Sequence, residues 1–188
     1  MIPVIVVAVV LVDLVVDMVL VRWWIRKLRN EAVNALREAV GGEKVFHVED
    51  CNFFGRQSRG YAQVRGNGLL ALTDRGIHFR MFLPRRYLFI PLEDVGSVSV
   101  AGSFLGKSRG RKILRVDFRT SGGGDDACGW LVPSPGWWVE ALRSLSAGKE
   151  PPPTPWKEKM GDVTTNNPAS HGSLWLLESR ASCKVKIF

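Results

Sequence analysis

The run from Ile2 to Val21 constrains this chain more than any other feature. It is almost unbroken aliphatic over about 20 residues, the length a helix rising about 1.5 Å per residue needs to cross a bilayer core. Asp13 and Asp17 interrupt it, each costing roughly 2.5–3.5 kcal/mol near the bilayer centre. The fifteen Val, Ile and Leu residues of the run offset this at about 0.3–0.6 kcal/mol each. The balance predicts one transmembrane helix over residues 1–22. Arg22, Trp23 and Trp24 stand where a cleaved signal peptide would carry small residues. Basic residues follow the run and none precedes it. The positive-inside rule therefore predicts a single-pass protein of the cell membrane with its N-terminus outside and its C-terminal domain cytoplasmic. Arg22, Trp23, Trp24, Arg26 and Lys27 are expected at the membrane interface. Asp13 and Asp17, four residues apart, share a helix face. Two readings stand: contact with a membrane partner or a second copy, or Asp17 snorkelling to the interface with Asp13 tolerated.

Residues 23–43 keep helical spacing, with Trp24, Leu28, Leu36 and Val40 on one side, Val33 nearby, and Gly41-Gly42 as the stop. This predicts a basic amphipathic helix on or leaving the membrane surface, or a simple helical spacer. From Lys44 the pattern turns to period-two alternation with frequent glycine, the signature of antiparallel strands. Strands are expected over Val45–Phe54, from Gly60–Val64 toward Leu72, and over Gly76–Phe82, Tyr87–Pro91, Val98–Ala101, Ile113–Arg119 and Ala127–Val132. Ser134-Pro135 then opens a helix with Trp137, Trp138, Ala141, Leu142 and Leu145 on its apolar face. The expected fold is mainly β with α: a barrel or sandwich of about seven antiparallel strands capped by a C-terminal helix over residues 44–148, preceded by the transmembrane helix. Residues 149–188 read as a Pro-rich, largely disordered tail, with short patches at Leu174–Leu177 and Lys184–Phe188.

Specific residues sharpen this layout. The segment Gly68-Leu-Leu-Ala-Leu-Thr73-Asp74-Arg75-Gly76-Ile-His-Phe79 resembles the pattern of PH/GRAM-like domains, bacterial PH-like domains included: a Gly-led strand, a Leu-Thr-Asp-Arg turn and a strand ending in Phe. Phe89-Ile-Pro-Leu-Glu-Asp-Val95 is similar to the segment that follows in that family, and Trp137 or Trp138 stands at the place of the tryptophan in the closing helix. The resemblance covers about residues 44–147. It implies a PH-like superfold, through motifs that encode turns and core contacts. Leu83-Pro-Arg-Arg86 and the basic stretch Gly106–Lys112 depart from the pattern.

The formal charge of +8, from 26 Lys and Arg against 18 Asp and Glu, points to an anionic partner. Lipid headgroups, nucleic acid and acidic proteins satisfy it equally. Arg56, Arg59 and Arg65 flank one loop, Arg85 and Arg86 a second, and Lys107, Arg109, Arg111 and Lys112 a third. If these loops share an edge they form an anion-attracting surface, expected to meet anionic lipids at about 1 kcal/mol per cation. Nucleic acid is not expected, because exposed stacking aromatics are not evident. Ala101-Gly-Ser-Phe-Leu-Gly106-Lys107-Ser108 fits a relaxed phosphate-loop pattern, yet Arg111–Phe118 alternates as a strand instead of opening a helix. His47 and Cys51 have ligand-like spacing only on a helix, and their segment reads as a strand. His78 reads as a satisfied or edge histidine, not a base. Cys51, Cys128 and Cys183 are too far apart and odd in number for a disulfide framework. No catalytic constellation, metal or cofactor is expected. The function expected is a non-enzymatic, membrane-anchored module binding anionic headgroups or a protein. The alternative is an assembly subunit pairing through the Asp-bearing span.

Overall fold

Alternation from Val45 onward becomes seven antiparallel strands followed by one helix. The computed structural model of the chain describes residues 2–108 and 110–155, residues 2–10 by their backbone alone. Helix α1 runs Ile2–Val40. It is followed by β1 (Val45–Arg56), β2 (Gly66–Thr73), β3 (Gly76–Met81), β4 (Arg86–Pro91), β5 (Val95–Ala101), β6 (Ile113–Arg119) and β7 (Asp125–Leu131), and then by α2 (Pro135–Ser146).

The strand order is β4-β3-β2-β1-β7-β6-β5, so β1 carries both halves of the sheet. Its first part pairs with β2, setting Val48 opposite Ala71 and Cys51 opposite Gly68. Its end pairs with β7, setting Asn52 opposite Leu131 and Arg56 opposite Cys128. The register shifts between Phe53 and Gly55, where Gly55 takes a φ of +127° that a side chain would strain. The strand therefore bends where it changes partners.

Bending creates a concave face that α2 fills. Trp138, Ala141 and Leu142 are buried there with Leu70, Phe79, Val116 and Trp130. Buried polar groups need partners, and Glu49 of β1 accepts from the Trp138 indole Nε1 at 2.7 Å while His47 Nε2 lies 3.2 Å from its other oxygen. Pro135 at the first turn starts α2, and Gly148 follows it with a φ of +68°. The Trp137 indole then donates to the carbonyls of Pro152 and Pro153, so the segment to residue 155 lies against the domain. Residues 156–188, with Cys183, His171 and the two short patches, are outside the described residues.

The opposite face is covered by the last three turns of α1. Ala32, Leu36 and Val40 are buried against Leu69 and Ala71. Arg29 reaches Asp50 at 3.2 Å. Nearer the N-terminus, Leu11 to Val21 and both Trp23 and Trp24 are exposed, Leu11 by 57% and Trp23 by 60%. The amphipathic side expected from Trp24 is therefore shifted: Ala32 takes part in it and Trp24 does not.

These observations correct the first expectation. Among the described residues, no helix is long and apolar enough to cross a membrane. From Leu11, where the described side chains begin, the helix carries Asp13, Asp17, Arg22, Arg26 and Lys27 within eighteen residues, more charge than a span placed there accommodates. The transmembrane helix over 1–22, the single-pass location with a cytoplasmic domain, and the interfacial roles of Arg22, Trp23, Trp24, Arg26 and Lys27 that depended on it fall together. So does pairing of Asp13 and Asp17 inside a bilayer. One continuous helix, docked on the sheet at its C-terminal end, replaces an anchor and a spacer.

Candidate functional site: a basic loop edge

The β1–β2 connection is longer than the alternation suggested, because the expected strand over Gly60–Val64 is a folded loop. Arg56 and Asp126 form an ion pair at its base. Asp126 also accepts from the Ser58 amide and hydroxyl at 2.8 and 2.6 Å. Burial alone would raise the Asp126 carboxyl, but the hydrogen bonds of Ser58 and Arg56 prevail and hold it below the usual carboxylate range. Residues Gln57–Arg59 make one tight turn, and Gln63 folds back to pin it. Its Oε1 accepts from the Arg56 amide at 2.7 Å, and its Nε2 donates to the Arg56 carbonyl at 2.8 Å and to the Gly60 carbonyl. A Cβ at Gly55 would come within 2.6 Å of the Gln63 side chain, so that glycine is also required for close approach.

This loop touches its neighbours on both sides. The Tyr61 ring lies 3.5 Å from the position a Cβ would take at Gly106 of the β5–β6 loop. At its end, the position for a Cβ at Gly66 is 3.3 Å from the Leu83 carbonyl of the β3–β4 loop. The β5–β6 loop reaches Tyr61 by folding back over the sheet. Phe104 and Lys107 pair as a small hairpin, and the Phe104 ring lies over Gly129, where a Cβ would meet it at 2.7 Å. The Arg115 guanidinium lies over that ring, 5.8 Å from its centroid. No helix follows Gly106-Lys107-Ser108; the chain runs directly into β6.

Residues 57–65, 82–85 and 102–112 contain no Asp or Glu. Of the basic residues expected to form one surface, Arg56 is spent on Asp126 and Arg85 pairs with Glu31 of α1 at 2.6 Å. Arg65 is turned inward, its Nε donating to the Phe54 carbonyl at 2.5 Å. Arg59, Arg86, Lys107, Arg111 and Lys112 are exposed, and none pairs with an acidic group among the described residues. Arg109 lies outside the described residues. Tyr61, Val64 and Leu83 stand exposed among them, Tyr61 by 72%. The structure thus joins the loop of Arg59 to that of Lys107 directly, with Arg86 on the flank beyond Gly66.

Sequence reasoning missed Gln63, Asp126 and a second polar cluster. His78 of β3 is buried, with Nε2 2.9 Å from Glu43 and Nδ1 2.7 Å from the Tyr87 hydroxyl. Burial lowers its pKa against the opposing pull of Glu43. Burial, and then the charge of Glu43, raises that of Tyr87. The Gly41-Gly42 stop signal placed the end of α1 just before Glu43, but nothing in it pointed to a histidine 35 residues away. His47 turns to Glu49 and away from Cys51, whose buried thiol is pushed up by desolvation and then by the Glu49 charge. No group of three or more metal-ligating side chains exists among the described residues.

No protein-family model matches the chain, and no curated protein matches it. Among solved structures it is similar to the C-terminal domain of an unknown protein from Leishmania infantum. The two are 14% identical with a TM-score of 0.44, and the match covers 61% of this chain and 96% of that one.

Proposed function

We propose that this chain is a non-enzymatic, PH-like binding module whose basic loop edge takes anionic headgroups presented on a lipid surface. One observation carries the reading: three loops without a single carboxylate, together with the start of β4 that follows one of them, expose Arg59, Arg86, Lys107, Arg111 and Lys112, and the central loop is pre-ordered by Gln63. Pre-ordering lowers the entropy cost of binding. Five cations at about 1 kcal/mol each suffice for salt-sensitive attachment to an anionic leaflet. The PH-like assignment is supported by the strand order with one closing helix and by the Thr73-Asp74-Arg75-Gly76 turn. Thr73 Oγ1 there accepts from the amides of Arg75 and Gly76. Catalysis has no support in the two described histidines, His47 and His78, each occupied by a glutamate. A protein partner is the second reading, favoured by the exposed aliphatic surface of α1 from Leu11 to Trp24.

Co-sedimentation of the full chain with vesicles tests the lipid reading. Binding is expected to require phosphatidylserine and to weaken as NaCl rises from about 0.05 to about 0.5 M. It should drop at least tenfold when Arg86, Lys107, Arg111 and Lys112 are replaced by Ser. Equal binding of that variant, or equal binding to neutral vesicles, rejects it.

A further inference from the structure

The sheet has two edges, and they are treated differently. An edge strand offers unpaired N–H and C=O groups to any passing strand, and proteins blunt that hazard with charge, proline or irregularity. Edge strand β4 opens on Arg86 and ends on Pro91, which has no N–H to offer. Edge strand β5, Val95-Gly-Ser-Val-Ser-Val-Ala101, carries no charge and no proline, and Gly96, Ser97, Ser99 and Val100 are exposed along it. Its one irregularity lies between Val95 and Ser97. Ser97–Ala101 therefore remains a regular ladder whose one strand partner among the described residues is β6.

The charges at the two ends of this open edge are opposite. Glu93 and Asp94 immediately precede β5, whereas Arg111 and Lys112 end the loop that leaves it and re-enter the sheet beside Ala101, the partner of Ile113. None of the four pairs with an oppositely charged group among the described residues. A second copy approaching antiparallel sets each acidic end beside a basic end, while a parallel approach sets like against like. Side chains alternate between faces, so facing residues of two such strands must have numbers summing to an even value. The regular segment is centred on Ser99. A two-fold axis there sets Ser99 opposite the second copy's Ser99 and Val98 opposite its Val100.

We propose that β5 pairs antiparallel with β5 of a second copy, joining two seven-stranded sheets across a two-fold axis at Ser99. Facing residues in an antiparallel pair have Cα atoms about 4.5–5.5 Å apart, within disulfide reach.

The test is Ser99→Cys in the full chain with Cys183→Ser, Cys51 and Cys128 being buried. Mild oxidation should give a cross-linked dimer at least tenfold faster than Arg86→Cys on the other edge. Glu93→Lys with Asp94→Lys should slow the cross-link, as should Arg111→Glu with Lys112→Glu, and all four together should restore it. Unchanged far-UV circular dichroism shows that each variant is folded. Cross-linking of Ser99→Cys no faster than the control overturns the proposal. Charge pairs without mutual rescue overturn it as well, because association through α1 would be indifferent to them.

Discussion

The two helices meet the sheet on opposite faces, and they meet it differently. Helix α2 brings Trp138, Ala141 and Leu142 with no exposure at all into the concave face and anchors the indole to buried Glu49. Helix α1 brings Ala32, Leu36 and Val40 onto the convex face and is tied at its rim by Arg29 to Asp50 and by Glu31 to Arg85. A large aromatic inside a closed core contributes more than small aliphatics on an outer face. The comparison implies that α2 is part of the folding unit, and that α1 is held on a sheet that could stand without it.

The largest expected effect comes from Trp138→Ala. Removing a buried tryptophan costs about 3–5 kcal/mol and also leaves Glu49 without its indole donor, a large share of the roughly 5–15 kcal/mol typical of a domain. Urea unfolding should show a much lower midpoint; a loss under about 1 kcal/mol would break the comparison. Leu36→Ala should cost about 2–3 kcal/mol, registered locally. Hydrogen exchange is expected to quicken over Arg29–Val40 while the β2 and β7 amides keep their protection. Equal loss in β2 would make α1 part of the core.

The Glu43–His78–Tyr87 cluster sharpens the comparison at the junction of α1 with β1. Burial lowers the His78 pKa in the folded state, so the unfolded chain, with a histidine near 6.5, binds more protons. Stability then rises with pH in this window and is lost as pH falls from about 6.5 through the folded value. Between about pH 7.5 and about pH 5.5 the melting temperature should fall, and fall less in His78→Gln; an identical fall would remove His78 from the account. The smallest effect is expected for Glu31→Gln, since both partners of the Glu31–Arg85 pair are well exposed. Such pairs contribute about 0–1 kcal/mol, and thermal melts should barely move.

Local chemistry made much of the domain legible. Alternation placed the strands, the Thr73–Gly76 turn and the start of α2, because each depends on residues within a few positions of one another. Ile113–Arg119 was read to the residue. The β1–β2 loop was not, since Tyr61, Gln63 and Val64 alternate as a strand would, and the bonds that overrule them run from Gln63 to backbone atoms of Arg56 and Gly60. The basic residues were visible, but their sorting was not: Arg56 faces Asp126, 70 positions away, and Arg85 faces Glu31, 54 positions away.

By itself the sequence determined where the chain alternates, where it turns, where it coils, and that its cations gather in three stretches free of carboxylates. Tertiary structure decided what those stretches mean. The bend of β1 at Gly55 set which loops lie side by side, long-range ion pairs neutralised two arginines and left five of the described cations facing solvent, and packing onto the sheet gave the end of α1 a role that its composition did not suggest. Hydropathy sums over neighbours in sequence, whereas burial and charge pairing depend on neighbours in space.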